Sequence, residues 1–147
     1  MKIIEATKEH ITEISILFDL YRQFYEFEPD IELATTYISE RIENGDSAIF
    51  IAIDDGAIIG FVQMYPSLCS VHAIKIYILY DLYVNSKIRN AGVGALLMNK
   101  ASEYAKNQGA SRLDLITGFS NKVGQHLYEK LGYQKVLKDY HTYSLQV

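Results

Sequence analysis

The chain has 147 residues, 49% hydrophobic and 22% charged, with a formal net charge of −4. This is the balance of an ordinary globular protein, so disordered and fibrous classes drop out and a nucleic-acid footprint is disfavoured. No apolar run approaches the ~20 residues a membrane span requires, and a single cysteine, Cys69, excludes an internal disulfide.

The N-terminal MKIIEATKEH runs straight into charged residues with no signal-type apolar stretch, so a cytoplasmic location is expected. His10, His72, His126 and His141 lie far apart, and no metal is expected. No repeat, low-complexity tract or Pro/Gly-rich linker divides residues 1–147, which read as one domain.

Residues 2–6 predict a first strand, with Thr7 as an N-cap. Ile11, Ile14, Leu17, Phe18, Tyr21 and Tyr25 follow at helical spacing. The stretch from Glu26 to Pro29 breaks that helix, and Asp30 caps a second one that stops near Asn44-Gly45. Residues 48–53 and 57–64 are apolar, β-branched runs around Asp54-Asp55-Gly56, a hairpin signal. Tyr65-Pro66-Ser67 is expected to turn the chain into a long strand over 73–84.

A loop over 85–91 leads to a helix over 92–108 with an inward stripe of Val93, Leu96, Leu97, Ala101, Tyr104 and Ala105. A strand over 112–117, a helix over 121–131 and two final strands over 133–136 and 140–145 complete the reading. The expected fold class is α/β (α+β), a mixed and mostly antiparallel sheet with helices on both faces.

Chemistry concentrates in LYVNSKIRNAGVGALL, from Leu82 to Leu97. There a strand ends, a polar loop follows, and a helix begins in a stretch holding Gly92 and Gly94. The first amides of a helix have no internal partner, and the macrodipole adds positive potential at that end. Glycine admits a ligand close to the backbone, and Arg89 offers a fork of donors suited to phosphate. The combination predicts a pyrophosphate cradle. A P-loop is ruled out because Ala95-Leu96 follows Gly94, and a Rossmann fingerprint because Leu97 stands where a small residue is needed.

A second constellation is NKVGQHLYEKLGY, from Asn121 to Tyr133. Val123, Leu127 and Leu131 form one stripe, while Asn121, Gly124 and Tyr128 share another face. A mid-helix glycine costs about 1 kcal/mol against alanine, so something is expected to pack close to Gly124. A groove lining and a core tyrosine with its hydroxyl at the surface are both compatible with that face.

Together the two segments resemble the GNAT superfamily of acetyl-CoA-dependent N-acetyltransferases. Arg89, Gly92 and Gly94 match its Arg/Gln-x-x-Gly-x-Gly/Ala signature, and Leu82-Tyr83-Val84 its hydrophobic strand end. Asn121, Gly124, Tyr128, Gly132 and Tyr133 match its later motif. Asn90 and Ala91 depart from the commonest residues after Arg89. YILYDLYV also resembles a branch containing polyamine acetyltransferases, with Tyr80 in place of the first acid of a pair and Asp81 in the second.

The resemblance implies acetyl-CoA wedged between splayed strands four and five. It implies pantetheine contacts from Leu82, Tyr83 and Val84, with pyrophosphate contacts from Arg89, Asn90, Ala91, Gly92, Val93, Gly94 and Ala95. Asn121 would line the pantetheine arm, and Tyr128 would donate to the departing sulfur. An amine acceptor would attack directly, leaving Cys69 a bystander, with Asp81 as first choice of base and Glu28 as second. Tyr25, Glu28 and Tyr80 are expected near the acceptor. A homodimer through the C-terminal strands is expected, with no nucleic-acid or membrane partner. The alternative is a non-catalytic acyl-CoA-binding regulatory module.

Overall fold

The computed structural model describes residues 1–88 and 92–147. Along the chain run β1 (Lys2–Glu5), α1 (Ile11–Phe24), α2 (Ile31–Asn44), β2 (Ala48–Asp54), β3 (Ala57–Cys69) and β4 (Ile74–Val84). Then come α3 (Val93–Asn107), β5 (Arg112–Leu115) and α4 (Lys122–Lys130), with short 3₁₀ turns at Lys8–His10 and Ser86–Ile88. The chain divides into one unit of Met1–Ile116 and another of Thr117–Val147.

Thr7 caps the short turn Lys8–His10 rather than α1, whereas α2 obeys its capping residues at both ends. Asp30 accepts from Leu33 N–H at 3.0 Å, satisfying one of the donors that open α2, and Gly45 closes that helix. Asp55 and Gly56 form the two-residue turn between β2 and β3, with Asp54 opposite Ala57.

The sheet of the first unit has strand order β1-β2-β3-β4-β5. Its first four strands pair antiparallel, and β4 pairs β5 in parallel. β3 does not turn at Tyr65-Pro66-Ser67 as expected but continues to Cys69. The reason lies in its neighbours. Pairing with β2 ends at Met64, so Pro66 lies where β3 has only β4 beside it and its missing N–H can face the open side.

Alternation along β2 sorts the core into two layers. Ile49 and Ile51 pack with Ile14, Leu17 and Phe18 of α1, Ala34 and Ile38 of α2, Phe61 and Tyr83. Phe50, on the opposite face, meets Tyr104 of α3 with ring centroids 5.2 Å apart. α1 and α2 therefore cover one face and α3 the other. In α3 the buried residues are Val93, Leu97, Met98, Ala101 and Ala105, so Met98 replaces the expected Leu96, which is exposed.

Within the second unit, α4 is the only regular element among the described residues. The strands expected over 133–136 and 140–145 are absent there. β-prone residues form a strand only where a ladder partner exists, and this segment instead bends where Tyr140 N–H meets Leu137 O at 3.3 Å. Leu127 and Leu131 are half-buried in that unit, while Val123, expected in the same stripe, is exposed. No helix among the described residues is long and apolar enough to cross a membrane.

Candidate active site

A β-bulge organises the site. Gln63 of β3 stands opposite Asp81, but Met64 stands opposite Leu79, so Tyr80 is an extra residue in β4. In a regular strand Tyr80 and Asp81 would point to opposite faces. Here the Tyr80 ring lies 5.5 Å from that of Tyr65, and Asp81 meets Gln63. Gln63 and Tyr65 are two residues apart and share a face. The bulge thus turns both Tyr80 and Asp81 toward the layer of α1 and α2.

Asp81 is only 6% exposed and Gln63 is fully buried. Gln63 Nε2 donates to Asp81 Oδ2 at 2.6 Å, and Ser47 Oγ donates to Gln63 Oε1 at 2.9 Å. The Tyr21 hydroxyl donates to the Tyr80 carbonyl at 2.9 Å and lies within hydrogen-bonding reach of Asp81. Burial pushes the Asp81 carboxyl above the ordinary carboxylate range, and bonds from Gln63 and Tyr21 pull against it. A carboxyl raised in this way is a better proton acceptor than an exposed one.

The neighbouring phenols form a second chain. The Tyr37 and Tyr65 hydroxyl oxygens are 2.5 Å apart. Burial, then the Tyr37 bond and the charge of Asp81, push Tyr65 above the ordinary phenol range. Arg41 lies over the Tyr37 ring, 4.7 Å from its centroid, and pairs with Asp46 at 2.8 Å.

Tyr25 ends α1, its ring 5.1 Å from that of Tyr21. The loop carrying Glu28 is pinned by buried Asp19, which accepts from Arg22 at 3.0 Å, Gln23 at 3.1 Å and Asp30 N–H at 3.0 Å. Glu28 takes part through its carbonyl, which accepts from Arg22 at 3.4 Å.

Leu82, Tyr83 and Val84 end β4, and the Tyr83 side chain belongs to the core between the sheet and α1. The β4–β5 ladder spans Ile76↔Arg112 to Leu79↔Leu115, whereas β4 itself runs on to Val84. Arg89, Asn90 and Ala91 lie outside the described residues. Gly92 is the N-cap of α3 at φ 77°, a left-handed conformation that a Cβ disfavours. A Cβ built there would meet nothing within 4 Å, so the backbone conformation is what calls for glycine. Val93, Gly94 and Ala95 form the first turn, which carries no acidic residue to compete with an anion.

In the second unit Asn121 is the N-cap of α4. Its Oδ1 accepts from Gly124 N–H at 3.1 Å, and its Nδ2 donates to Thr117 Oγ1 at 3.0 Å. A Cβ on Gly124 would run into that same amide. The close neighbour anticipated at Gly124 is therefore the helix cap. Tyr128 lies on α4, its ring 6.2 Å from that of Tyr133.

Sequence reasoning missed Gln63, Ser47 and Tyr37. Gln63 alone left a trace, as a polar residue interrupting the apolar run from Ala57 to Met64. Cys69 is half-buried, and its thiol is lowered by a backbone bond from His72 and by Arg112. Among the described residues no group of three or more His, Cys, Asp or Glu could hold a metal ion.

Residues 14–133 match the acetyltransferase (GNAT) family. The chain is 39% identical over 135 residues to "Uncharacterized N-acetyltransferase YhfO" of Bacillus subtilis (strain 168), covering 92% of this chain and 91% of that one. It is 31% identical to a probable acetyltransferase of known crystal structure, with TM-score 0.91 over 100% of this chain and 98% of the other. A complex of aminoglycoside N-acetyltransferase AAC(6')-Iy with CoA shares the fold, with TM-score 0.85 over 99% of this chain and 95% of that one at 19% identity. The protein belongs to the GNAT family of N-acetyltransferases and is an acyltransferase. The non-catalytic alternative falls away.

Proposed function

We propose that this enzyme transfers an acetyl group from acetyl-CoA to a primary amine, with Asp81 as the general base. The observation that carries this reading is the bulge at Tyr80, which presents a buried carboxylate with raised proton affinity beside several phenols.

The cosubstrate supplies an activated acetyl thioester. A pyrophosphate cradle here is supported by the left-handed Gly92 that opens α3 and by a first turn without a carboxylate. Main-chain groups of Leu82, Tyr83 and Val84 bind the pantetheine arm, and Asn121 lines it. Val93, Gly94 and Ala95, with Arg89, Asn90 and Ala91, bind the phosphates.

Tyr25, Tyr80 and Glu28 border the acceptor. Asp81 takes the proton of the incoming ammonium, directly or through a water. The freed amine forms a C–N bond to the acetyl carbon as the C–S bond breaks. Tyr128 then donates its proton to the departing sulfur, and the proton that the new amide nitrogen sheds passes through water to restore the phenol. We further propose a single functional domain, a homodimer and cytoplasmic residence, with the amine and acetyl-CoA as partners.

Calorimetry with acetyl-CoA, ATP and NAD, followed by turnover on a panel of amines, tests the proposal. Binding of acetyl-CoA far tighter than of the other two, with acetylation of at least one amine, is expected. Equal affinity for all three overturns it.

A further inference from the structure

We infer that Gln63, held in one orientation by Ser47, is a positioning residue that fixes Asp81 for proton transfer from the acceptor. The inference rests on the reading of Asp81 as the base.

A glutamine amide has a donor end and an acceptor end, and what surrounds it decides which end faces where. An ionised carboxylate only accepts, so Gln63 must turn its NH₂ to Asp81 Oδ2, at 2.6 Å. Ser47 Oγ, 2.9 Å from Oε1, completes the other end by donating its proton. Gln63 is fully buried, so no water replaces either contact. Gln63 holds Oδ2, which leaves Oδ1 for the incoming amine.

The groups around this carboxylate are Tyr21 from α1, Gln63 and Tyr65 from β3 and, through Tyr65, Tyr37 and Arg41 from α2. Among the described residues, no ion pair includes Asp81. Neutral donors therefore hold its ionised form against desolvation, and Gln63 makes the 2.6 Å contact among them. Removing that donor leaves only Tyr21 to oppose burial. The carboxyl then holds its proton to higher pH and is free to rotate.

The test follows the Asp81 carboxyl by ¹³C NMR titration, assigned by difference from Asp81→Asn, in the native chain, Gln63→Met and Ser47→Ala. Gln63→Met keeps most of the volume and removes the donor, while Ser47→Ala leaves Gln63 in place and frees its amide to turn. The expected order of the midpoint is native lowest, Ser47→Ala raised, Gln63→Met raised most. The acid limb of kcat/KM should move in the same order. An unchanged midpoint in a folded Gln63→Met, judged by its amide spectrum, overturns the inference. If both variants shift the NMR titration while the pH–rate profile ignores them and Asp81→Asn alike, the base assignment fails, and the positioning role with it.

Discussion

The Tyr21 hydroxyl donates to the main-chain carbonyl of Tyr80 at 2.9 Å, tying α1 to the extra residue of the β4 bulge across 59 positions of sequence. Without that donor, a carbonyl displaced from the regular β3–β4 ladder loses its helix-side partner. Water can reach that exposed carbonyl, so Tyr21→Phe should lower stability by about 0.5–1.5 kcal/mol, the net worth of one ordinary hydrogen bond. It should also lower kcat with little change in acetyl-CoA affinity, because the bend that aims Asp81 is less firmly held. Urea unfolding and calorimetry check the two halves. Unchanged stability and unchanged kcat would show that the bulge holds its shape without α1.

Asp81 gives a pH dependence whose sign is fixed by its burial. The folded chain holds the Asp81 proton more tightly than the unfolded chain does. The stability this contributes is present below the ordinary carboxylate range and is lost as pH rises through the raised folded value. Asp81→Asn carries no titrating group, so relative to the native chain it should gain stability across that window. The acid limb of the rate profile should vanish along with most of the activity. A stability difference independent of pH, from paired melts, counts against the raised proton affinity.

Two substitutions at Gly92 separate backbone strain from ligand chemistry. Gly92→Ala adds a methyl where nothing lies within 4 Å, but at φ 77° it should cost about 1 kcal/mol. Gly92→Glu carries the same strain plus a negative charge at the opening of α3. Thermal-shift stabilisation by acetyl-CoA should persist in the alanine variant and disappear in the glutamate variant. If it survives in both, the phosphates bind elsewhere.

Tyr128→Phe removes one hydroxyl and almost no volume. If that hydroxyl donates to the leaving sulfur, turnover should fall roughly 10²–10⁴-fold, the range of a positioned acid, while acetyl-CoA affinity is nearly unchanged. Single-turnover kinetics beside calorimetry measure both. Full activity would make the tyrosine a packing residue.

Local rules made most of the elements legible. The helical spacing from Ile11 to Tyr21 predicts α1, Asp30 and Gly45 bound α2, and Asp54-Asp55-Gly56 predicts the hairpin of β2 and β3. Each of these signals acts over a few residues, through a cap, a turn or one helical period. The motifs around Gly92 and Asn121 were equally local, and they carried the family.

What the sequence could not determine depended on which residues meet across the fold. Strict alternation separates Tyr80 from Asp81, and only the offset between β3 and β4 turns them to one face. Gln63 finds Asp81 across 18 positions, and Tyr37 finds Tyr65 across 28. β3 outlasts its proline because β2 has already ended, and the β-prone residues after Tyr133 form no strand in their unit. A strand is stabilised by its ladder rather than by its own residues, and a buried carboxylate by the donors packed around it. Sequence by itself determined the helices, the hairpin and the family. Pairing and burial, set by distant partners, decided the bulge and the environment of Asp81.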